Sequence, residues 1–259
     1  MQGDRRRRLL RALDIEAWTP RATLAAASEM AADVTSIPIA VAESEAPMAR
    51  TKKQPKAEAT SAVPVELESY TPPSDWEGLA SAVSGCERCK LCRTRTQTVF
   101  GVGIRSAPLL VIGEGPGADE DAQGEPFVGR AGKLLDEMLR AIGRSRGTDT
   151  YIANVVKCRP PGNRDPEPDE VAACRPYLDR QIELIQPKLM LALGRIAAQR
   201  LLATDEPLSK LRGPLFHYGE RQIPVLITYH PAYLLRSPGE KAKSWQDLKR
   251  VHRFLHDQN

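Results

Sequence analysis

The chain has 259 residues, enough for one large domain or two small ones, and a formal net charge of +4. No apolar run is long enough to span a bilayer as a helix. The charge is uneven, −1 over residues 1–75 and +5 over 76–259, so the later part permits nucleic acid as a partner without demanding it.

Residues 1–75 read as an extension. Arg5 to Arg8 precede Leu9, Leu10, Leu13 and Ile15, the pattern of one short basic helix. Asp4, Asp14 and Glu16 argue against a transit peptide, and a secretory core is missing, so a cytoplasmic, bacterial setting is expected. From about Arg21 to Pro73 the chain is rich in Ala, Ser, Thr, Glu and Pro. Such a segment buries too little apolar surface to offset its ordering entropy and is expected to be largely disordered.

The folded domain is expected over 76–259. Leu109 to Ile112 reads as a buried strand that breaks at Gly113-Glu114-Gly115-Pro116-Gly117, a turn where backbone can approach a ligand. Two nucleotide signatures are excluded: Gly132-Lys133 is followed by Leu134 rather than Ser or Thr, and no G-x-G-x-x-G is present. A helix with Leu134, Leu135, Met138, Leu139 and Ile142 on one face stops near Gly143. Thr150 to Lys157 is a second strand, and Arg159 to Pro166 an irregular loop. A helix from about Glu167 to Ile185 carries acidic residues at its amino end, with a kink or break expected at Pro176. Lys188 to Leu193 is a third strand and Ile196 to Leu202 a short helix. Ile223 to Thr228 is a fourth strand, ending in Tyr229-His230-Pro231. The last helix, about Lys241 to His256, has Trp245, Leu248, Val251, Phe254 and Leu255 as its apolar stripe. Strands alternating with helices predict a parallel sheet covered on both faces. The glycine loop, Asn154 and His230 then converge on one rim, where a flat heterocycle could be held.

Five cysteines, Cys86, Cys89, Cys92, Cys158 and Cys174, fall within the folded part. With no sign of secretion, metal ligation is the live reading, and two overlapping C-x-x-C pairs plus Cys158 and Cys174 supply four ligands with one left over. Spacing does not choose between zinc and an iron–sulfur cluster.

Four motifs in order, the C-x-x-C at Cys86 and Cys89, GEGPGADEDAQGEPFVGRAG, NVVKCRPPGNRDPEPDE and HPAYLLR at 230–236, resemble the family 4 uracil-DNA glycosylases. The resemblance covers about Cys86 to Phe254. It implies a three-layer α/β/α sandwich with a four-stranded parallel sheet, and a 4Fe–4S cluster on Cys86, Cys89, Cys158 and Cys174, with Cys92 spare. The implied partner is uracil-containing DNA, single- or double-stranded, bound by a monomer. Asn154 would read uracil, its side-chain carbonyl accepting from N3–H and its amide donating to O4; cytosine reverses both. Phe127 would stack on the everted base, Glu120 would crowd C5 against thymine's methyl, and Glu114 and Gly115 would approach the base mainly through backbone. Asp119 and Asp121 read as solvated loop charges. His230 would donate to O2 as the bond to the sugar breaks. Gly115 offers no side chain to activate water, so a largely dissociative mechanism is expected. Leu234, Leu235 and Arg236 would form the loop that wedges into the duplex and meets phosphate. Two other classes stay open on the residues alone: a zinc-stabilised DNA-binding module and an electron-transfer protein.

Overall fold

The computed structural model describes residues 70–257. The expected basic helix and most of the disordered extension lie outside these residues. Asp75 caps helix α1 (Trp76–Ser84) by accepting from the Gly78 N–H at 2.8 Å. Just before it, Tyr70 packs edge-on against Tyr177.

Among the described residues, six strands form one sheet: β1 (Val102–Gly103), β2 (Leu109–Gly113), β3 (Thr150–Asn154), β4 (Leu189–Leu193), β5 (Phe216–Tyr218) and β6 (Ile223–Thr228), in the spatial order β1-β3-β2-β4-β6-β5. The inner four are parallel, as expected. The expected count of four is corrected by β1 and β5, which pair antiparallel along the two edges. Two and three residues are too few to display an alternating pattern, so neither was visible as a strand in the sequence.

All residues of β2, β3 and β4 are buried, which is why these segments read as continuous apolar runs. Successive side chains point to opposite faces. Leu110, Ile112, Met190 and Ala192 join a core with α1, α4 (Pro168–Ile185) and α5 (Gly194–Leu202). Leu109, Val111, Leu189 and Leu191 join another with α3 (Arg130–Arg140), α7 (Pro231–Arg236) and α8 (Lys241–Asp257). The three-layer α/β/α sandwich is thus present. Two short helices, α2 (Ala118–Gln123) and α6 (Leu208–Leu211), complete the set among the described residues.

Two helix expectations change. Of the kink or break expected at Pro176 the break is absent, the helix running on over 168–185 with its amino end fixed by a capping box between Glu167 and Glu170. Trp245 is 41% exposed rather than part of the α8 stripe. Ser244 and Asp247 take the buried face instead, because the Thr228 hydroxyl at the end of β6 bonds both at 2.8 Å.

The chain leaves β2 toward β3 on one side, then crosses back to β4 on the other. The carboxyl ends of β2 and β4 therefore part at a switch point, where α/β sheets open a crevice.

Candidate functional site

Register brings the crevice residues together. Gly113 ends β2 directly opposite Asn154, which ends β3. A Cβ on Gly113 would fall 2.4 Å from Asn154 Oδ1 and 2.7 Å from the Phe127 ring, so only glycine lets these two side chains meet there. Asn154 is 1% exposed, and its Oδ1 has no hydrogen-bond partner. A buried acceptor left unpaired costs roughly 1–3 kcal/mol. Here it borders a cavity of about 430 Å³, also lined by Glu114, Gly115, Glu120, Phe127 and His230.

Phe127 is buried yet has φ of +57°, a conformation that costs a residue with a Cβ. The loop around it is held from three sides. Arg146, itself paired with Asp136 at 2.8 Å, donates to the Pro126 and Phe127 carbonyls at 3.0 Å. Gly132 lets the Phe127 carbonyl approach, since a Cβ there would sit 1.7 Å from that oxygen. Glu120 accepts from the N–H groups of Gly117 at 3.0 Å, Val128 at 3.0 Å and Gly129 at 3.2 Å. Glu120 therefore lines the cavity, with both carboxylate oxygens engaged in bracing the glycine loop against the Phe127 loop. The Gly117-x-x-Glu120 spacing of a capping box was the signal for this role.

His230 precedes α7, and its Nδ1 accepts from the Ala232 N–H at 3.2 Å. With Nδ1 an acceptor, the proton of a neutral ring is on Nε2. Burial, helped by the positive charge of Arg236, pushes the ring pKa down to about 4. His230 is thus a neutral donor at physiological pH. Its ring faces Phe127 with centroids 5.5 Å apart. Gly194, at φ +87°, leaves room for it; a Cβ there would be 2.9 Å from His230 Cβ.

Glu114 brings a half-buried carboxyl as well as backbone. Burial and the neighbouring Asp165 push its pKa up to about 7, opposed by Arg195, which pairs with Asp165 at 2.7 Å. Asp165 carried no sequence signal beyond lying in the proline-rich loop.

Two expectations are corrected at the periphery. Leu234 is 1% exposed and packs in the core beneath α7, so it cannot reach a duplex. The outward residues of that helix are Tyr233 and Arg236, with Leu235 half-buried. Tyr233 stacks on Tyr229 at 5.1 Å, and the Arg212 guanidinium covers Tyr229 at 4.1 Å. Asp121 is buried rather than solvated, and both its oxygens accept from the Thr96 N–H, at 2.9 and 3.1 Å.

Cys86, Cys89, Cys158 and Cys174 line a second, small cavity with Arg95 and Lys157; Cys92 is not among its lining residues. Arg95 donates to Cys158 Sγ at 3.2 Å, and the Lys157 N–H to Cys174 Sγ at 3.2 Å. Among the described residues, no three Cys, His, Asp or Glu side chains group as ligands of one metal ion. Thiolate donors with cationic and N–H partners fit an iron–sulfur core.

Comparison with known proteins places the chain in a family. A family model described as the uracil DNA glycosylase superfamily matches residues 100–249. The type-4 uracil-DNA glycosylase of Sulfurisphaera tokodaii is 42% identical over 181 residues, 68% of this chain and 82% of the relative. That of Archaeoglobus fulgidus is also 42% identical, over 68% of this chain and 90% of its own. That of Thermotoga maritima is 41% identical over 72% and 97%. The chain belongs to the uracil-DNA glycosylase superfamily, in its type-4 branch.

Proposed function

We propose that the chain is a DNA-repair glycosylase that takes uracil out of the base stack and hydrolyses its bond to deoxyribose, leaving an abasic site. The observation that carries the roles of the residues is the unpaired, buried Oδ1 of Asn154. Uracil N3–H supplies its missing donor, and the Asn154 amide donates to O4. Cytosine presents an acceptor and a donor in the reverse order, leaving two buried groups mismatched at roughly 1–3 kcal/mol each. Phe127 stacks on the base, held by the bonds to Arg146 and Glu120. Glu120 acts through that loop as a positioning residue.

As the bond between N1 and C1′ breaks, its electron pair leaves with the base and charge gathers on O2. The Nε2–H of neutral His230 stabilises that charge without first having to be ionised. Gly115 offers no side chain to deliver water, so water adds to C1′ late and loses its proton to solvent. Tyr233, Leu235 and Arg236 face the duplex at the mouth of the crevice. The substrate is uracil-containing DNA, single- or double-stranded, and the enzyme acts as a monomer. Cys86, Cys89, Cys158 and Cys174 would hold a 4Fe–4S cluster, which braces the fold.

The test is incubation of the purified, metal-loaded protein with uracil-containing oligonucleotides, single- and double-stranded, followed by alkaline cleavage. Strand breaks at uracil are expected. Intact strands in every context would overturn the reading. Broad visible absorption separates the iron–sulfur reading from zinc.

A further inference from the structure

Lys157 is 1% exposed, and its ammonium donates to the Asn154 carbonyl at 3.0 Å and to Gln181 Oε1 at 2.6 Å. Among the described residues no Asp or Glu pairs with it. Gln181 is itself fully buried and committed to the Phe100 carbonyl at 3.0 Å. A buried cation without a carboxylate is costly unless another anion is close. The anions that could balance it are the thiolates these cysteines would present to a bound centre: Lys157 lines the cysteine cavity, precedes Cys158 in sequence and bonds Cys174 through its backbone. Arg95, half-buried, is a second cation without a carboxylate partner among the described residues, and it donates to Cys158 Sγ. Its other partners are the carbonyls of Cys86 and Ser84. Four thiolates on a doubly positive core would leave two negative charges, and two cations without a carboxylate partner among the described residues stand beside the cysteines.

We propose that Lys157 is a positioning residue that links the metal centre to uracil recognition. The same ammonium balances the centre's negative charge and holds the backbone of Asn154, whose side chain reads the base. With the centre in place the end of β3 is fixed; without it Lys157 is an unbalanced buried charge and that strand end loosens. This rests on the reading of Asn154 and the cysteines given above. Coupling between two sites is reciprocal, so uracil should also steady the centre.

The experiment uses the holoenzyme and Lys157→Met, which keeps the length and removes the charge. Where the methionine variant does not fold, Lys157→Gln replaces it. Two quantities are read. The first is the single-turnover excision rate constant of cluster-bearing protein, alongside affinity for abasic-site DNA. A role confined to stability lowers the active fraction, not the rate constant. The second is the bleaching of visible absorbance in excess chelator, with and without saturating free uracil. The expected result is at least a tenfold fall in the rate constant with abasic-site affinity within twofold. Free uracil should slow bleaching of the wild type at least twofold and give the variant no protection. A wild-type rate constant in the variant, or equal uracil protection in both proteins or in neither, overturns the link. Failure of the wild type to excise uracil would instead overturn the functional reading.

Discussion

The crevice and the cysteine cavity share one piece of chain, the end of β3 and the residues after it, yet treat buried polarity in opposite ways. At Asn154 an acceptor is left without a partner beside an open space. Three residues on, Lys157 has two oxygen acceptors for its ammonium and no carboxylate. An unpaired neutral group is affordable in a fold worth only 5–15 kcal/mol, and it suits a ligand that comes and goes. An unbalanced charge is not, so the charged side implies a group that stays.

The sharpest way to break this contrast is to remove a ligand of the permanent site. Cys174→Ala should lose visible absorption and fail to give a cooperative melt, because binding energy at structural thiolate sites, on the order of 10 kcal/mol, is folding energy. Cys92→Ala should keep both absorbance and melting temperature. Equal damage from the two would show that Cys92 is a ligand and that the assignment of four is wrong.

At the crevice the order is reversed: activity falls while the fold holds. Asn154→Ala should cost about 10²- to 10⁴-fold in kcat/KM, two lost hydrogen bonds at roughly 1–3 kcal/mol each. Its melting temperature should equal or exceed that of the wild type, since the orphaned acceptor is gone. A large loss of stability would mean that Asn154 serves the fold.

Much of this was readable from residues. Apolar runs marked the four inner strands because those strands are buried on both faces, and the run ending at Gly113 placed the glycine loop on the rim. Asn154 and His230 were placed on the crevice for the same reason, the first ending a strand and the second just beyond one. What stayed hidden depended on the third dimension. The edge strands were too short to show a period. Leu234 and Tyr233 differ in exposure only through the rotation of α7 on the sheet, so a run of two leucines read as a wedge although one is core. Glu120 lines the crevice as expected, but its oxygens accept from the amides of Gly117, Val128 and Gly129, in two separate loops, and the latter two could not be paired with it in sequence. Arg95 and Lys157 look like ordinary surface cations in sequence; the burial of Lys157 without a carboxylate and the bond from Arg95 to Cys158 Sγ single them out.

His230→Gln should lower the excision rate by about 10²- to 10³-fold, the usual worth of one transition-state donor, roughly 2.7–4 kcal/mol. Because the wild-type ring has a pKa near 4, His230 should add no limb to the excision profile at pH 6.5 and titrate only toward pH 4. The folding term has the same sense. A depressed histidine pKa contributes stability above the unfolded value of 6.5, lost as pH falls through about 4. An activity limb at 6.5 that disappears in the variant would show that the ring titrates freely and is not the neutral donor described.

The smallest expected effect concerns Glu114, a crevice carboxyl whose pKa is pushed up to about 7. Its folded value, about 7, is above its unfolded value of 4.5, so the protonated form favours the fold. The associated stability is therefore present below pH 4.5 and lost as pH rises through 7. Glu114→Gln keeps the shape of the protonated acid and cannot ionise. Wild type and variant should melt together at pH 4.5, and the variant should be the more stable above pH 7, by on the order of 1–3 kcal/mol. Taking the difference between the two proteins removes the contribution of His230, which both share. A gap that is constant with pH would mean that Asp165 and Arg195 already neutralise the pair. The crevice would then be as closely charge-balanced as the cysteine cavity, and the contrast between a transient and a permanent site would have to rest on Asn154 alone.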